Sequence, residues 1–120
     1  MDEKRKAFLT LMHQAHFDAK SAHKYSFDDE EHGQREDKVA ALSYAGACVA
    51  RVSAAQALYY ACLDELEHQG IPELFGQFQV FTSEVFNDYA TDHSRQWVDI
   101  EYNRLEELFI DSVCNQHIIE

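Results

Sequence analysis

The stretch VAALSYAGACVARVSAAQALYYACL, residues 39–63, decides the fold: twenty-five residues with one charge, Arg51, and with nine alanines and one glycine. Read at helical spacing it offers Leu42, Ala45, Val49, Val52, Gln56, Tyr59, Leu63 and, just beyond, Leu66, in an unbroken alternation of three and four. Such a repeat marks one face of a helix packed against others. The remaining sides carry Ala, Cys and Ser rather than Lys and Glu, so neighbours are expected to lie close on more than one side. The segment is therefore expected to be the central, most buried helix of a small all-α domain. About 20 apolar residues would suffice to cross a bilayer. Ser43, Ser53, Gln56 and Arg51 leave this run only weakly hydrophobic, however, and its flanks are acidic rather than asymmetrically basic, which argues against a membrane span.

Outward from that helix, the chain offers few places to break. Of one proline and four glycines, Gly33 within DDEEHGQRED and Gly70 with Pro72 within HQGIPEL fall where breaks are wanted. A first helix is expected from about Asp2 to Tyr25, ending near Phe27, with Phe8, Met12, Ala15, Ala19 and Ala22 inward. The polar run from Asp28 to Asp37 reads as the least structured segment, with the second helix beginning near Gln34 and continuing to His68. Gly70 then reads as its C-terminal stop and Pro72 as the first residue of the next helix. That third helix, to roughly Tyr89, repeats Leu74, Phe78, Phe81 and Val85, with Phe75, Phe86 and Tyr89 alongside. Its rings suit the hollows that alanines leave open. NDYATDHS, residues 87–94, collects good caps and predicts a turn or kink. The last helix carries Val98, Tyr102, Leu105, Leu108, Phe109 and Val113 inward. There is no β-alternating run and no repeat. The economical reading is an antiparallel four-helix bundle, one domain over residues 1–120, or three long helices plus a broken or kinked fourth, with the small-residue second helix central.

A chain of 120 residues can bury a core without staples. Three cysteines, Cys48, Cys62 and Cys114, with no CxxC spacing, read as reduced thiols within helices. Residues 1–14, MDEKRKAFLTLMHQ, hold no apolar core of secretory length, so a cytoplasmic location is expected. Net charge is −12 and unevenly spread: residues 39–120 hold thirteen acids against three bases, Arg51, Arg95 and Arg104. Such a field repels nucleic acid and anionic lipid and draws in a basic partner.

Seven histidines raise the question of a metal. His13 and His16 share a helix side with His23 two turns on, and Asp18 is near in sequence. The same positions lie off the Phe8–Met12–Ala15–Ala19 seam beside Gln14, Lys20 and Lys24, and so read as a solvated face. Glu65 and His68 form a single Glu-x-x-His pair, where a di-iron bundle needs two such pairs and further carboxylates. No nucleophile elbow, phosphate loop or His-Glu-x-x-His is present, nor is the Arg-to-His spacing of helical RNases of the HEPN type. No catalytic residue and no cofactor is expected. Arg51, midway along the quietest helix, needs an acidic mate such as Glu84, Asp99 or Glu101 if it is inside; otherwise it emerges on an exposed strip near Tyr44, Ser53 and Gln56.

The last helix carries the strongest binding signal. Asp92, Asp99, Glu101, Glu106, Glu107 and Asp111 ride with Trp97 and Tyr102, acids to speed encounter and rings to anchor it. These residues are expected to form a partner-binding face, making the chain a non-enzymatic module that neutralises or regulates a basic protein. In size and acidity it resembles immunity proteins, antitoxins and phage-encoded inhibitors as a class, whose targets are often toxins or nucleases with basic clefts. The alternatives are a metal- or small-ligand-binding helical protein using His13, His16 and nearby acids, or a homodimer formed through Phe75, Tyr60 or Trp97.

Overall fold

In the computed structural model, which describes residues 3–32, 35–91 and 95–114, regular structure among those residues is entirely helical. Helix α1 spans Glu3–His32, α2 Arg35–Ala61, the single turn α3 Leu63–Leu66, α4 Ile71–Thr91 and α5 Arg95–Phe109, which runs on as a π-helical turn over Ile110–Cys114. The long axis measures 46 Å, close to the ~45 Å rise of a thirty-residue helix, so α1 spans the whole length of the molecule.

Helix α1 lies against α2 and α5, and α4 lies against the same two. Long-range pairs fix the directions. Phe8 meets Tyr59 while Phe17 meets Tyr44, so α2 descends as α1 climbs. Likewise His16 meets Glu106 and His23 meets Asp99, which sets α5 antiparallel to α1. The closest-packed pair is α1 with α2, and the residue sizes explain it. From N- to C-terminus the buried side of α1 shrinks from Phe8, Leu9 and Met12 to Ala15, Ala19 and Ala22, while that of α2 grows from Ala41 and Ala45 through Cys48, Val52 and Ala55 to Tyr59. Small residues face small residues at one end, and at the other the rings of Phe8, Tyr59 and Phe75 meet tilted or edge-on, with Phe8 5.6 Å from Tyr59 and Tyr59 5.5 Å from Phe75. Such tapering lets the backbones approach closely without leaving a void.

Several expectations for the second helix are corrected. Its buried line is Ala41–Ala45–Cys48–Val52–Ala55–Tyr59, whereas Val49 and Leu63 are exposed. Its far side, with Ser43, Gly46, Ala50, Ser53, Ala54 and Ala57, faces solvent, so α2 is a flanking helix rather than the central, most buried one. Because alanine carries little transfer free energy, exposing it costs little, and the alanine-rich sides gave no pattern to choose between. The helix also stops before His68. At Cys62 the backbone turns to φ −128°, ψ 42°, and α3 starts afresh. Buried Tyr59 then ties the following loop, its hydroxyl accepting the His68 amide at 3.3 Å. Gly70, at φ +91°, caps the start of α4 rather than the end of α2, its carbonyl accepting the Leu74 amide at 2.9 Å. Pro72 sits in the first turn, where its missing N–H costs nothing.

Helix α1 continues past Phe27 to His32, and α4 through the expected kink to Thr91. Residues 92–94 of that expected turn lie outside the described residues. Of the inward positions read from α1, α4 and α5, Phe8, Met12, Ala15, Ala19 and Ala22, Leu74, Phe78, Phe81 and Val85, and Val98, Tyr102, Leu105, Phe109 and Val113 are buried, whereas Leu108 is only partly so. Among the described residues no helix is long and apolar enough to cross a membrane.

Candidate functional site

The acids and rings of α5 do not form one outward face. Asp99 sits 3.0 Å from His23. Glu101, only 7 % exposed, accepts from Gln77 Nε2 at 2.9 Å, and Arg104 Nη1 approaches both its oxygens at 3.4 Å. Tyr102 is buried and donates to Glu106 at 2.9 Å, and Glu106 meets His16 at 2.6 Å. Of the expected partner residues, Asp92 lies outside the described residues. Trp97, Glu107 and Asp111 remain on the surface, with Arg104 and Ile110 beside them. The reason is topological: a helix packed on both α1 and α4 has only one side left for solvent.

Between α1 and α5 the histidines form a ladder. His16 stacks on Phe109 at 4.1 Å between ring centroids, nearly coplanar at 6°, while bonding Glu106. Seven residues along α1, His23 stacks on Tyr102 at 4.2 Å while bonding Asp99, seven residues back along α5. Each rung is thus a histidine with an aromatic on its face and a carboxylate at its edge. His13 touches the edge of the upper rung, its ring 5.2 Å from Phe109. The expectation of a solvated histidine face is therefore wrong for His16 and His23, which are half-buried interhelical residues. At Glu106 burial pushes the carboxyl up, but the hydrogen bonds from His16 and Tyr102 and the nearby positive charges outweigh it, leaving it below its ordinary value. Burial, reinforced by the bond to Glu106, pushes the Tyr102 phenol well up.

On the opposite side of α1 an open groove of about 930 Å³ runs against α2, lined by Lys6, Leu9, Thr10, His13, Phe17 and Arg51 and completed by Gln14, Asp18 and Tyr44. Phe17 is 60 % exposed in it, with its ring 6.3 Å from Tyr44. Arg51 finds its mate here, and it is Asp18 on α1, not Glu84, Asp99 or Glu101. Arg51 Nε lies 2.8 Å from Asp18 Oδ2, yet that oxygen accepts no well-directed hydrogen bond, so the contact is chiefly Coulombic. The pair is lopsided: the Asp18 side chain is 6 % exposed and that of Arg51 39 %. Burial pushes the Asp18 carboxyl above its ordinary value, and the guanidinium pulls it back only in part. Beneath them, burial and the Asp18 charge push the Cys48 thiol up to about 12, which removes it as a nucleophile near neutrality.

Among the described residues no three His, Cys, Asp or Glu side chains gather as a metal site would require. His13 and His16 are drawn to Phe109 and Glu106 instead, and Glu65 pairs with Lys4 at 3.3 Å while His68 Nδ1 faces the Gln69 carbonyl. Compared with known proteins, the chain matches no family, no curated protein and no solved structure. The groove around Arg51 was not foreseen. Its one sequence signal was Asp18 and Arg51 themselves, a lone acid and a lone base each on an otherwise quiet helical side.

Proposed function

We propose that the chain is an antiparallel four-helix bundle acting in the cytoplasm as a non-enzymatic module that binds and regulates a basic protein, in the manner of immunity, antitoxin or inhibitor proteins with a toxin or nuclease as target. The observation that carries this reading is what α5 leaves outside. Asp99, Glu101 and Glu106 each have a partner within the chain, and the outward side still offers a 44 % exposed tryptophan, Trp97, together with exposed Glu107 and Asp111. A large exposed ring with exposed acids further along the same segment suits a basic surface, since the ring supplies anchoring area and the acids speed encounter. The net charge of −12 acts in the same direction over longer range.

The test is affinity capture from the cell that makes the protein, with wild type beside Glu107→Lys/Asp111→Lys and Trp97→Ala. A basic protein retained by wild type and lost from both variants, with binding that weakens as salt rises, supports the reading. Capture that the variants leave unchanged places the interface elsewhere, and absence of any basic partner ends the proposal.

A further inference from the structure

The groove between α1 and α2 combines three features that the partner reading does not use. Its walls are aromatic and aliphatic, with Phe17 and Tyr44 in ring contact and Leu9 in the wall. Its charged lining is cationic on balance, Lys6 and Arg51 against Asp18, in a chain whose net charge is −12. And Arg51 is held from behind. Asp18, nine-tenths buried, lies 2.8 Å from Nε, while the Arg51 side chain is 39 % exposed and lines the groove. The planar fork of a guanidinium matches the two oxygens of a carboxylate, which is the geometry that distinguishes Arg from Lys as an anion receptor.

We propose that this groove binds a small amphipathic monocarboxylate, its head on the terminal nitrogens of Arg51 and its apolar body along Phe17, Tyr44 and Leu9. The volume of about 930 Å³ lies within the range of small-molecule sites. The stretch from Lys6 to Asp18 provides about 18 Å of helix for the body to lie on. Charge narrows the class further. The acidic field of the chain repels polyanions and anionic membranes, whereas a single carboxylate on an apolar body offsets that repulsion by burying hydrocarbon. A cationic amphiphile would have to displace Arg51 from a carboxylate that is itself nearly inaccessible. The site does not depend on the outer strip of α5, so it stands or falls independently of the basic-partner reading.

The experiment is competition against the fluorescent anion 1-anilinonaphthalene-8-sulfonate with three probes that share a ten-carbon chain: decanoate, decanol and decyltrimethylammonium. Decanoate is expected to displace the dye at least tenfold more effectively than either of the others. Arg51→Gln should weaken decanoate at least tenfold and leave decanol unchanged, Arg51→Lys should fall between, and Phe17→Ser should weaken all three. A thermal melt of each variant separates lost binding from lost fold. Should Arg51→Gln fail to fold, the wild-type protein still decides: the Arg51 Nε–Hε resonance must shift on adding decanoate and stay in place on adding decanol. Equal displacement by decanoate and decanol, or an unmoved Arg51 resonance, overturns the proposal.

Discussion

His16 and Glu106 meet at 2.6 Å across α1 and α5, and the same arrangement recurs one heptad away, where His23 and Asp99 meet at 3.0 Å. Because the histidine number rises by seven as the acid number falls by seven, the two rungs lock both the direction and the register of the pair. Slipping α5 by one turn would break two hydrogen bonds and two ring stacks together. The first prediction is therefore that His16→Ala destabilises the fold by about 1–2 kcal/mol, the sum of a bond to a charged group and a ring stack, trimmed because Glu106 keeps some solvent exposure. Combining it with Glu106→Gln should cost less than the two singles added, by about 0.5–1.5 kcal/mol. Urea unfolding of the four proteins measures the coupling; strict additivity would show that the contact does not hold the register.

Glu106 also sets an acid dependence. Its folded-state value lies below the ordinary 4.5, so the native state prefers the ionised form. The stability this contributes is fully present above the unfolded value and is lost as pH falls through the folded one. Glu106→Gln should accordingly be less stable than wild type at neutral pH and converge on it in acid. Urea midpoints followed down through the carboxylate range give the comparison, and parallel curves would count against it.

How much of this was legible depends on what kind of residue carried the information. Phe8, Met12, Leu74, Phe78, Phe81, Val98 and Leu105 are large, and their spacing leaves one helical side to bury; all of them are buried. On α2 the eye follows Val49 and Leu63, yet the packing follows Ala41, Cys48 and Ala55. There the partner is another alanine-bearing helix, and closeness of approach outweighs side-chain area. The α5 acids were legible as acids but not as paired ones, because Glu106 and Asp99 find their histidines ninety and seventy-six residues away. The seven-residue repeat of His16 with His23, Asp99 with Glu106 and Tyr102 with Phe109 was present in the chain all the same. It becomes meaningful only once α1 and α5 are known to be neighbours.

Cys48 provides a test of the α1–α2 seam that needs no mutation. With its thiol pushed up to about 12, roughly one molecule in ten thousand carries a thiolate at pH 8, and burial adds a steric barrier. Iodoacetamide should leave Cys48 unmodified in the folded protein while modifying it fully in denaturant, as read by peptide mass. Native-state alkylation of Cys48 at the rate of a free cysteine would mean that α1 and α2 separate readily.

Gly70 stands where α4 begins and the π turn ends. At φ +91° a β-carbon there would lie 2.5 Å from Ser112 Oγ. Gly70→Ala should cost about 1–3 kcal/mol from backbone strain alone, with the clash adding to it. Ser112→Gly should recover the clash and not the strain, so the double variant is expected between Gly70→Ala and wild type in thermal melts. Full recovery would show that the left-handed backbone carries no cost.

Asp18 and Arg51 should respond unequally to removal, because one is buried and the other half in water. Asp18→Asn leaves Arg51 to the solvent it already reaches, and it relieves a carboxyl whose folded-state value is raised. A raised acid binds its proton more readily in the native state, so wild-type stability falls as pH rises through that value, and the asparagine variant escapes the fall. At neutral pH it is expected to match wild type or exceed it by up to about 1 kcal/mol, a few degrees in Tm. Arg51→Met does the reverse. It strands the Asp18 charge in the seam, costing about 1–3 kcal/mol at neutral pH, with the loss shrinking as acid protonates Asp18. Loss for Arg51→Met and none for Asp18→Asn at neutral pH, converging in acid, are the expected result of thermal melts across that range. A substantial loss from Asp18→Asn at neutral pH would instead make the pair a net source of stability.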